Sequence, residues 1–180
     1  MKIGIISDTH DHVQNVLLLA EQFRSAGVEH LIHAGDFGSP VSVRILSDFK
    51  VYGVFGNNDG EKFGLINAMK TIGGQLEGDF LSIKLGGKRI AVYHGTVFEI
   101  TEALTHCGLY DWVVTGHTHV VVEKRVGKTL LMNPGSAHGF IRKPNADGVE
   151  IGPDGFVRKP TAMIVDTETE QIDLISPQAA

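Results

Sequence analysis

Three short apolar runs, separated by segments with helical periodicity, constrain the fold of the first half of the chain. The runs cover residues 3–7, 31–34 and 51–55. After the first run, one helical face is apolar through Val13, Val16, Leu17, Ala20 and Phe23. Two successive strand–helix–strand units predict a parallel sheet, because parallel neighbours need a crossover connection.

The ends of the two predicted helices carry capping residues. Asp11, with Gln14 three residues on, is the expected cap of the first helix, and Gly27 is expected to end it. Ser39 and Pro40 are the expected cap and first residue of the second helix. Its apolar face is expected to include Val41, Ile45 and Phe49.

Glycine-containing turns in the second half predict antiparallel strand pairs. Gly86-Gly87 separates the runs 81–85 and 89–93, and Gly127-Lys128 separates 120–126 from 129–132. We also expect a helix over 99–106, a strand over 112–115, and a closing strand pair over 163–166 and 171–175. The mixture predicts an α/β fold, a four-layer αββα sandwich of two packed mixed sheets with helices outside.

Composition limits the class of protein. The 180 residues suit a single domain over 1–180, and the net charge of −5 argues against a general nucleic-acid surface, which would be basic. Cys107 is the one cysteine, so no internal disulfide forms and a cytoplasmic location is the default. Asp8 interrupts the first apolar run before a signal-peptide core forms, and no run approaches the roughly 18 apolar residues of a membrane span.

Residues 137–160 are polar and contain two similar pentapeptides, FIRKP at 140–144 and FVRKP at 156–160. Two interpretations are open. The segment forms an inserted, exposed hairpin, or it forms a basic lip over a substrate, with Arg142 and Lys143 in contact with phosphate.

Side chains able to bind a metal follow five of the predicted strands. They are Asp8 and His10; Asp36; Asn57, Asn58 and Asp59; His94; and His117 and His119. In sheets of this kind, ligands bind beyond the carboxyl ends of the strands. We therefore expect the five groups to converge.

Each group alone has an ordinary structural explanation. Asp8 alone suits a helix cap or turn, and His94 alone suits a hydrogen-bonded core histidine. Five such groups gathered without a partner would suffer a large desolvation penalty, which divalent cations remove. Glycines adjoin the proposed ligands and permit sharp turns and close backbone approach there: Gly35, Gly56, Gly95 and Gly116.

The chain resembles the calcineurin-like metallophosphoesterase superfamily in five motifs that occur in order: Asp8-x-His10, Gly35-Asp36, Gly56-Asn57, His94-Gly95 and Gly116-His117-x-His119. Its small size and the stretch Asn133-Pro134-Gly135-Ser136 are similar to the compact YfcE-type branch. That branch includes phosphodiesterases and is itself similar to a retromer scaffold subunit. The resemblance covers residues 1 to about 136 and the last strand pair.

The resemblance implies a centre of two divalent metal ions and no other cofactor. The first ion would be held by Asp8, His10, Asp36 and His119, and the second by Asp36, Asn57, His94 and His117. Asp36 would bridge the two. The nitrogen and oxygen donors suit manganese first, with nickel, iron or zinc as alternatives, and the lack of thiolate ligands argues against structural zinc.

The implied activity is hydrolysis of a small phosphodiester by metal-bound hydroxide, with Asp36, Asn58 and His94 as predicted catalytic residues. Asn58 departs from many family members, which place a histidine there to protonate the leaving group. An amide does not titrate in the useful range. We therefore expect a preference for diesters with good leaving groups, or another acid such as His12 or His138.

Two other functions stay open: a phosphomonoesterase using the same metals, and a non-catalytic, retromer-like binding scaffold. Every motif position keeps a competent donor, which favours an enzyme over a scaffold. His33 either supports the site from behind the ligands or packs under the sheet. Trp112 and several phenylalanines are candidate contacts of a homo-oligomer.

Overall fold

The computed structural model describes residues 1–139 and 159–178, and within them the chain forms eleven strands and four helices. The first half contains β1 (Lys2–Ile6), α1 (Val13–Ser25), β2 (His30–His33), α2 (Pro40–Ile45), β3 (Lys50–Gly53), α3 (Lys62–Thr71) and β4 (Gln75–Leu76). The second half contains β5 (Phe80–Leu85), β6 (Lys88–Tyr93), α4 (Phe98–His106), β7 (Trp112–Val114), β8 (Val121–Val126), β9 (Thr129–Pro134), β10 (Ala162–Asp166) and β11 (Ile172–Ile175).

The first sheet has six strands in the order β11, β10, β1, β2, β3, β4. Strands β1 to β4 run parallel, with Ile3 opposite His30 and Leu31 opposite Val51. Strands β10 and β11 are antiparallel to their neighbours. The predicted strand–helix–strand units are confirmed, and the parallel direction brings the carboxyl ends of β1, β2 and β3 to one edge.

The second sheet has five strands in the order β5, β6, β7, β9, β8. Both predicted hairpins are present as antiparallel pairs, β5 with β6 and β8 with β9. Strands β6, β7 and β9 run parallel. The carboxyl ends of β6 and β7 therefore lie side by side, as those of β1 to β3 do in the first sheet.

Three apolar clusters join the layers. Between the sheets, the buried side chains include Ile5, Ile32, Val92, Trp112 and Met132. Helices α1, α2 and α3 bury Phe23, Val43 and Met69 on the outer face of the first sheet, and α4 packs Leu104 near Val113 of the second. The αββα sandwich is confirmed. Because Trp112 has no exposed surface, the expectation that it contacts a second copy of the chain is wrong.

The start of α1 differs from the prediction. His12, not Asp11, caps the helix, since its Nδ1 accepts a hydrogen bond from the backbone N–H of Asn15 at 3.3 Å. Asp11 adopts a left-handed φ of 59°, and its carboxylate accepts a hydrogen bond from the Ser42 hydroxyl at 3.3 Å. Asp11 therefore connects the loop to α2 instead of capping α1.

Helix α2 begins as predicted but is shorter. Ser39 caps it and Pro40 is its first residue. The predicted apolar face is wrong in part, because the helix ends at Ile45 and Val41 is 43% exposed. Phe49 still reaches the core, from a turn in which its N–H bonds the Leu46 carbonyl at 3.1 Å.

Helix α3 was absent from the predicted elements. It buries Leu65, Ala68 and Met69. Phe63, at its start, is 86% exposed, and Gly64 follows it, so the apolar periodicity of the segment is interrupted in its first turn.

Several predictions concern parts of the chain or properties that the fold does not test. Within residues 1–139 and 159–178, no helix is long and apolar enough to cross a membrane. Of the proposed hairpin or lip over 137–160, residues 140–158 lie outside the described residues, as do Arg142 and Lys143. A single domain over 1–180 stays a prediction.

Glu170 connects the two sheets by hydrogen bonds. It lies in the turn between β10 and β11 of the first sheet. Its carboxylate accepts hydrogen bonds from Lys88 Nζ at 2.6 Å, from Trp112 Nε1 at 3.1 Å and from Arg125, all of the second sheet. Burial alone would raise the pKa of Glu170, but these three donors outweigh it and lower the pKa to about 2.

Glu170→Gln is expected to lower the free energy of unfolding by about 1 kcal/mol at neutral pH, with allowance for screening by solvent. The folded pKa of about 2 lies below the ordinary 4.5, so this stability is present above about pH 4.5 and is lost as the pH falls toward 2. Urea unfolding of wild type and variant across this range measures it. Glu168→Gln, at an exposed position of the same turn, is the control. A difference that persists unchanged at about pH 2 contradicts the prediction.

Candidate metal centre

The loops that follow β1, β2, β3, β6 and β7 meet at one end of the two packed sheets. They bring together the seven residues predicted as metal ligands: Asp8, His10, Asp36, Asn57, His94, His117 and His119. The first four follow strands of the first sheet, and the three later histidines follow strands of the second. The site is thus built at the junction of the sheets.

Asp8, His10 and His119 form one group of donors. His119 Nε2 lies 3.1 Å from Asp8 Oδ1, and His10 Nε2 lies 3.8 Å from the same oxygen. The two imidazole Nε2 atoms are 3.3 Å apart. One carboxylate oxygen and two imidazole nitrogens therefore point to a common position, as metal ligands do.

Asp8, Asp36 and His94 form a second, contiguous group. All three are buried, and their donor atoms lie within 4.8 Å of one another. His94 Nε2 is 3.4 Å from Asp36 Oδ2 and 3.1 Å from Asn57 Oδ1. Asp36 Oδ2 also lies 3.5 Å from His10 Nε2, so Asp36 stands between the two groups.

His117 joins the site through both its ring and its backbone. Its ring centroid is 5.3 Å from that of His94, and its N–H donates a hydrogen bond to Asp8 Oδ2 at 3.0 Å. Burial and the nearby charge of His94 lower the pKa of His117, despite the opposing carboxylates. The ring is therefore held in its neutral form, which is the form that binds metals.

A hydrogen bond to the backbone fixes the orientation of the His94 ring. Its Nδ1 lies 2.7 Å from the Ala34 carbonyl, which can only accept a hydrogen bond, so Nδ1 carries the proton. Nε2 is therefore the ring nitrogen that faces Asp36 and Asn57 and would bind an ion. Burial alone would lower the pKa of His94, but the carboxylates of Asp36 and Asp8 outweigh it and raise the pKa.

Asp36 carries a firmly held negative charge. Burial alone would raise its pKa, but hydrogen bonds from His94 and Asn58 hold the pKa well below the ordinary range. Asn58 binds both carboxylate oxygens, with its backbone N–H at 2.8 Å from Oδ1 and its side-chain amide at 2.7 Å from Oδ2. Asn58, predicted as catalytic, thus lies directly against the central carboxylate.

Most of these donors sit on left-handed backbone. The φ angles of Asp8, His10, Asp36, His117 and His119 lie between 41° and 66°. Non-glycine residues adopt this region rarely and at an energetic cost, and such residues cluster at functional sites. Hydrogen bonds hold the turns in place, from Asp8 N–H to the Gly35 carbonyl at 3.0 Å and from His10 N–H to the Asp36 carbonyl at 3.1 Å.

Glycines leave the room that the donor side chains occupy. A Cβ on Gly56 would stand 2.1 Å from Asp36 Oδ1, and one on Gly116 would stand 2.6 Å from Asp8 Oδ2. A Cβ on Gly35 would stand 2.7 Å from the His94 ring. The expected close approach of glycine backbone to the donor residues is therefore present.

The surroundings of Asp8 Oδ1 indicate the kind of group that the cluster could bind. This buried oxygen accepts no hydrogen bond, although the imidazole nitrogens of His119, His10 and His94 lie 3.1, 3.8 and 4.0 Å away. A buried, unsatisfied carboxylate oxygen is unfavourable unless a cation or donor compensates it. Oxygen and imidazole donors around one point suit a divalent metal ion, so the residues present fit such an ion.

Comparison with protein families agrees with this geometry. The model of the calcineurin-like phosphoesterase superfamily domain matches residues 1–170. The chain belongs to this superfamily. Membership implies divalent metal ions as cofactors, in keeping with the donor groups described above. The resemblance inferred from the five motifs is confirmed.

Known members of the superfamily resemble the chain over its whole length. A phosphodiesterase of Methanocaldococcus jannaschii is 35% identical over 177 residues, covering 95% of this chain and 96% of that protein. The solved structure of an archaeal phosphodiesterase has a TM-score of 0.84 at 34% identity, covering 98% of this chain and 99% of its own. YfcE, an Escherichia coli phosphoesterase, has a TM-score of 0.61 at 18% identity, covering 99% and 100%, and shares the fold.

Asp59 organises this site, although the sequence placed it in one of the five groups without a role of its own. Its buried carboxylate accepts hydrogen bonds from the backbone N–H groups of Asp36 and Gly38 at 3.0 Å and of Gly56 at 2.8 Å. It therefore holds the loops after β2 and β3 together. The sequence feature that could have indicated this role is the position of Asp59, two residues after the predicted ligand Asn57.

Asn133 and Ser136 support the loops of the phosphoesterase site from the other side. Asn133 donates its side-chain amide to the Gly116 carbonyl at 2.7 Å, and Ser136 donates its hydroxyl to the Asp8 carbonyl at 3.0 Å. Both belong to the stretch Asn133-Pro134-Gly135-Ser136, which in the sequence indicated a family resemblance but no role in the site.

The remaining histidines near the site have different surroundings. His33 is buried and stacks on Phe37 with ring centroids 3.6 Å apart, and burial together with the charge of His94 lowers its pKa to about 3. Gly35 N–H donates to its Nδ1, so Nε2 carries the proton toward Thr9. His33 thus supports the turn before Asp36. The His138 ring lies 5.7 Å from that of His10, beside the donors.

Gly56→Ala is expected to disrupt the phosphoesterase centre, because the added methyl group collides with both the carboxylate and the backbone of Asp36. We expect a loss of unfolding free energy of about 2 kcal/mol and at least tenfold weaker Mn²⁺ binding, measured by thermal unfolding and calorimetry. Gly60→Ala, in the same loop, meets nothing within 4 Å and is the matched control. Equal Mn²⁺ affinity in the two variants contradicts the prediction.

Proposed function

We propose that the protein is a metal-dependent phosphodiesterase with two divalent ions. The observation that carries this proposal is the convergence of two buried carboxylates, an asparagine and four histidines around the unsatisfied oxygen of Asp8. A buried carboxylate oxygen that accepts no hydrogen bond is costly unless a cation compensates it.

The proposed ion sites divide the donors as the distances suggest. Asp8, His10, Asp36 and His119 would hold the first ion, and Asp36, Asn57, His94 and His117 would hold the second. Asp36 is the proposed bridge, since its Oδ2 lies within 3.5 Å of both His10 and His94. With oxygen and nitrogen donors, manganese is the proposed metal and nickel, iron or zinc the alternatives.

Neighbouring residues hold the proposed ligand side chains in the orientation that the reaction needs. Bound divalent ions would supply a nucleophile from water at neutral pH and positive charge for the phosphate oxygens. Asn58 keeps Asp36 ionised and in place through two hydrogen bonds, and Ala34 keeps Nε2 of His94 turned toward the centre. Two carboxylates against two divalent ions leave net positive charge, which favours an anionic phosphate over a neutral substrate.

Hydrolysis of a diester is proposed over the two alternatives. The relative from Methanocaldococcus jannaschii is named a phosphodiesterase, and its similarity to this protein extends over nearly the whole chain. A non-catalytic scaffold would tolerate loss of donors, whereas every motif position here holds one, oriented by a partner such as Ala34 or Asp59. We extend the proposal to a cytoplasmic enzyme, because Cys107 is the one cysteine.

His117→Ala and Asp36→Asn are each expected to reduce Mn²⁺-dependent hydrolysis of bis(p-nitrophenyl) phosphate by roughly 100-fold or more. Loss of an outer partner of a metal ligand already costs about 10- to 100-fold, so loss of a ligand costs no less. His106→Ala, on the exposed face of α4, is the control and should keep wild-type activity. Circular dichroism confirms folding. Full activity in folded His117→Ala protein would contradict its place in the centre, and a wild-type protein without metal-dependent hydrolysis would leave the scaffold as the better proposal.

Rates are expected to depend steeply on the leaving group, because the amide of Asn58 cannot protonate it. A p-nitrophenyl diester should be hydrolysed faster than the matching monoester, and a simple alkyl diester slowest of all. Initial rates at saturating Mn²⁺ measure this order. Equal rates on the three substrates would mean that another group, such as His12 or His138, supplies the proton.

A further inference from the structure

A deep cleft opens beside the candidate metal centre. It has a volume of about 760 Å³, which is within the range of small-molecule sites. The cleft lies between the start of α3, the start of β5 and helix α4. Its apolar walls consist of Phe55, Phe80, Tyr93, Val97, Ile100 and Leu104, and we call it the aromatic cleft.

The aromatic cleft is continuous with the metal centre. Asn57 and His94, two of the proposed metal ligands, are among its lining residues. A phosphate held at the centre would therefore carry one of its ester groups directly into the cleft. This continuity makes the substrate the expected occupant, in preference to an unrelated ligand.

The walls suit a flat ring. Three aromatic side chains line the cleft, and the Tyr93 hydroxyl is engaged as acceptor of the Val97 N–H at 2.9 Å, which leaves the Tyr93 ring as an apolar surface. Phe80 is held from the side by Tyr110, with ring centroids 6.4 Å apart in an edge-to-face arrangement. Aromatic rings pack favourably in offset or edge-to-face contact with such walls.

The charges of the cleft do not suit a polyanion. Apart from His94 of the metal centre, the one cation among its lining residues is Lys62, which lies 4.9 Å above the Phe55 ring. Asp79 lies in the same wall with opposite charge, and the carboxylate of Asp59 is already occupied by backbone N–H groups. Within residues 1–139 and 159–178, a chain of several phosphates would meet no row of positive charge in this cleft.

Part of the apolar wall is open to water. Phe80 and Ile100 are 42% and 44% exposed at the mouth of the cleft. An apolar group that enters would cover these side chains, and the burial would strengthen binding. A small, fully polar ester group would gain nothing from this surface.

We infer that the aromatic cleft binds an aromatic ring esterified to the phosphate, so that the preferred substrates are aryl or heteroaryl phosphodiesters. This inference rests on the proposed function for the position of the phosphate. It assigns Phe80 and Ile100 as specificity-determining residues, which contact the ester group and not the reacting atoms.

The test measures binding of three slowly hydrolysed diesters to the Mn²⁺-loaded protein by calorimetry. The ligands are dimethyl phosphate, methyl phenyl phosphate and methyl cyclohexyl phosphate, which differ in one ester group. We expect the phenyl ester to bind at least roughly tenfold more tightly than the dimethyl ester, and about threefold more tightly than the cyclohexyl ester of similar size. Equal affinities for the phenyl and cyclohexyl esters would overturn the inference.

Matched variants test whether the preference for the phenyl ester arises in the aromatic cleft. Phe80→Ala should weaken binding of the phenyl ester about fivefold and leave dimethyl phosphate unchanged, whereas Phe80→Leu should keep apolar binding and lose the preference for the phenyl over the cyclohexyl ester. Phe98→Ala removes a 69% exposed ring of α4 outside the cleft lining and is the control. If Phe80→Ala and Phe98→Ala bind the phenyl ester equally well, the inference falls.

Hydrolysis of bis(p-nitrophenyl) phosphate, assayed in parallel, separates the two proposals. Hydrolysis without any preference in binding would overturn the aromatic cleft and leave the phosphodiesterase standing. Binding that depends on Phe80 without any metal-dependent hydrolysis would support the cleft and overturn the enzymatic function.

Discussion

The close burial of two carboxylates, Asp8 and Asp36, is the constraint on which the rest of the site depends. Their oxygens lie within 4.8 Å of the His94 ring nitrogen and of each other, and all three side chains are buried. Like charges at this range are unfavourable unless positive charge and hydrogen-bond donors surround them. The raised pKa of His94 and the two hydrogen bonds of Asn58 to Asp36 are responses to that charge, as is the N–H of His117 at Asp8.

Much of the fold could be predicted because strands and hairpins leave strong local signals. The turns at Gly86-Gly87 and Gly127-Lys128, and the apolar runs that became β1 to β3, lie within one or two residues of their predicted positions. Helix α3 left a weaker signal, since Phe63 points to solvent and the apolar face begins later. The cap of α1 was mistaken because Asp11 is drawn to Ser42 of α2, a contact that exists in the folded chain alone.

The candidate site could be predicted as a list of residues but not as a network. The donors were visible because each follows a strand, and the sheet directions bring those ends together. Asp59 and Asn133 act through backbone groups of distant loops, and a carboxylate that accepts three backbone N–H bonds looks in sequence like any turn residue. The aromatic cleft was not predicted either, since its walls come from the loop after β3, from β5 and β6, and from α4 and the residues before it.

The division of the donors between the two sheets has a thermodynamic consequence. Asp8, Asp36 and Asn57 follow strands of one sheet, and His94, His117 and His119 follow strands of the other. An ion that takes donors from both acts as a reversible cross-link across the main apolar interface of the molecule. Ion binding and global unfolding then share one equilibrium, and resistance to heat becomes a function of free ion concentration. Substitutions in the core between the sheets would therefore change ion affinity without contacting the ion, because they change how the ligands from the two sheets align.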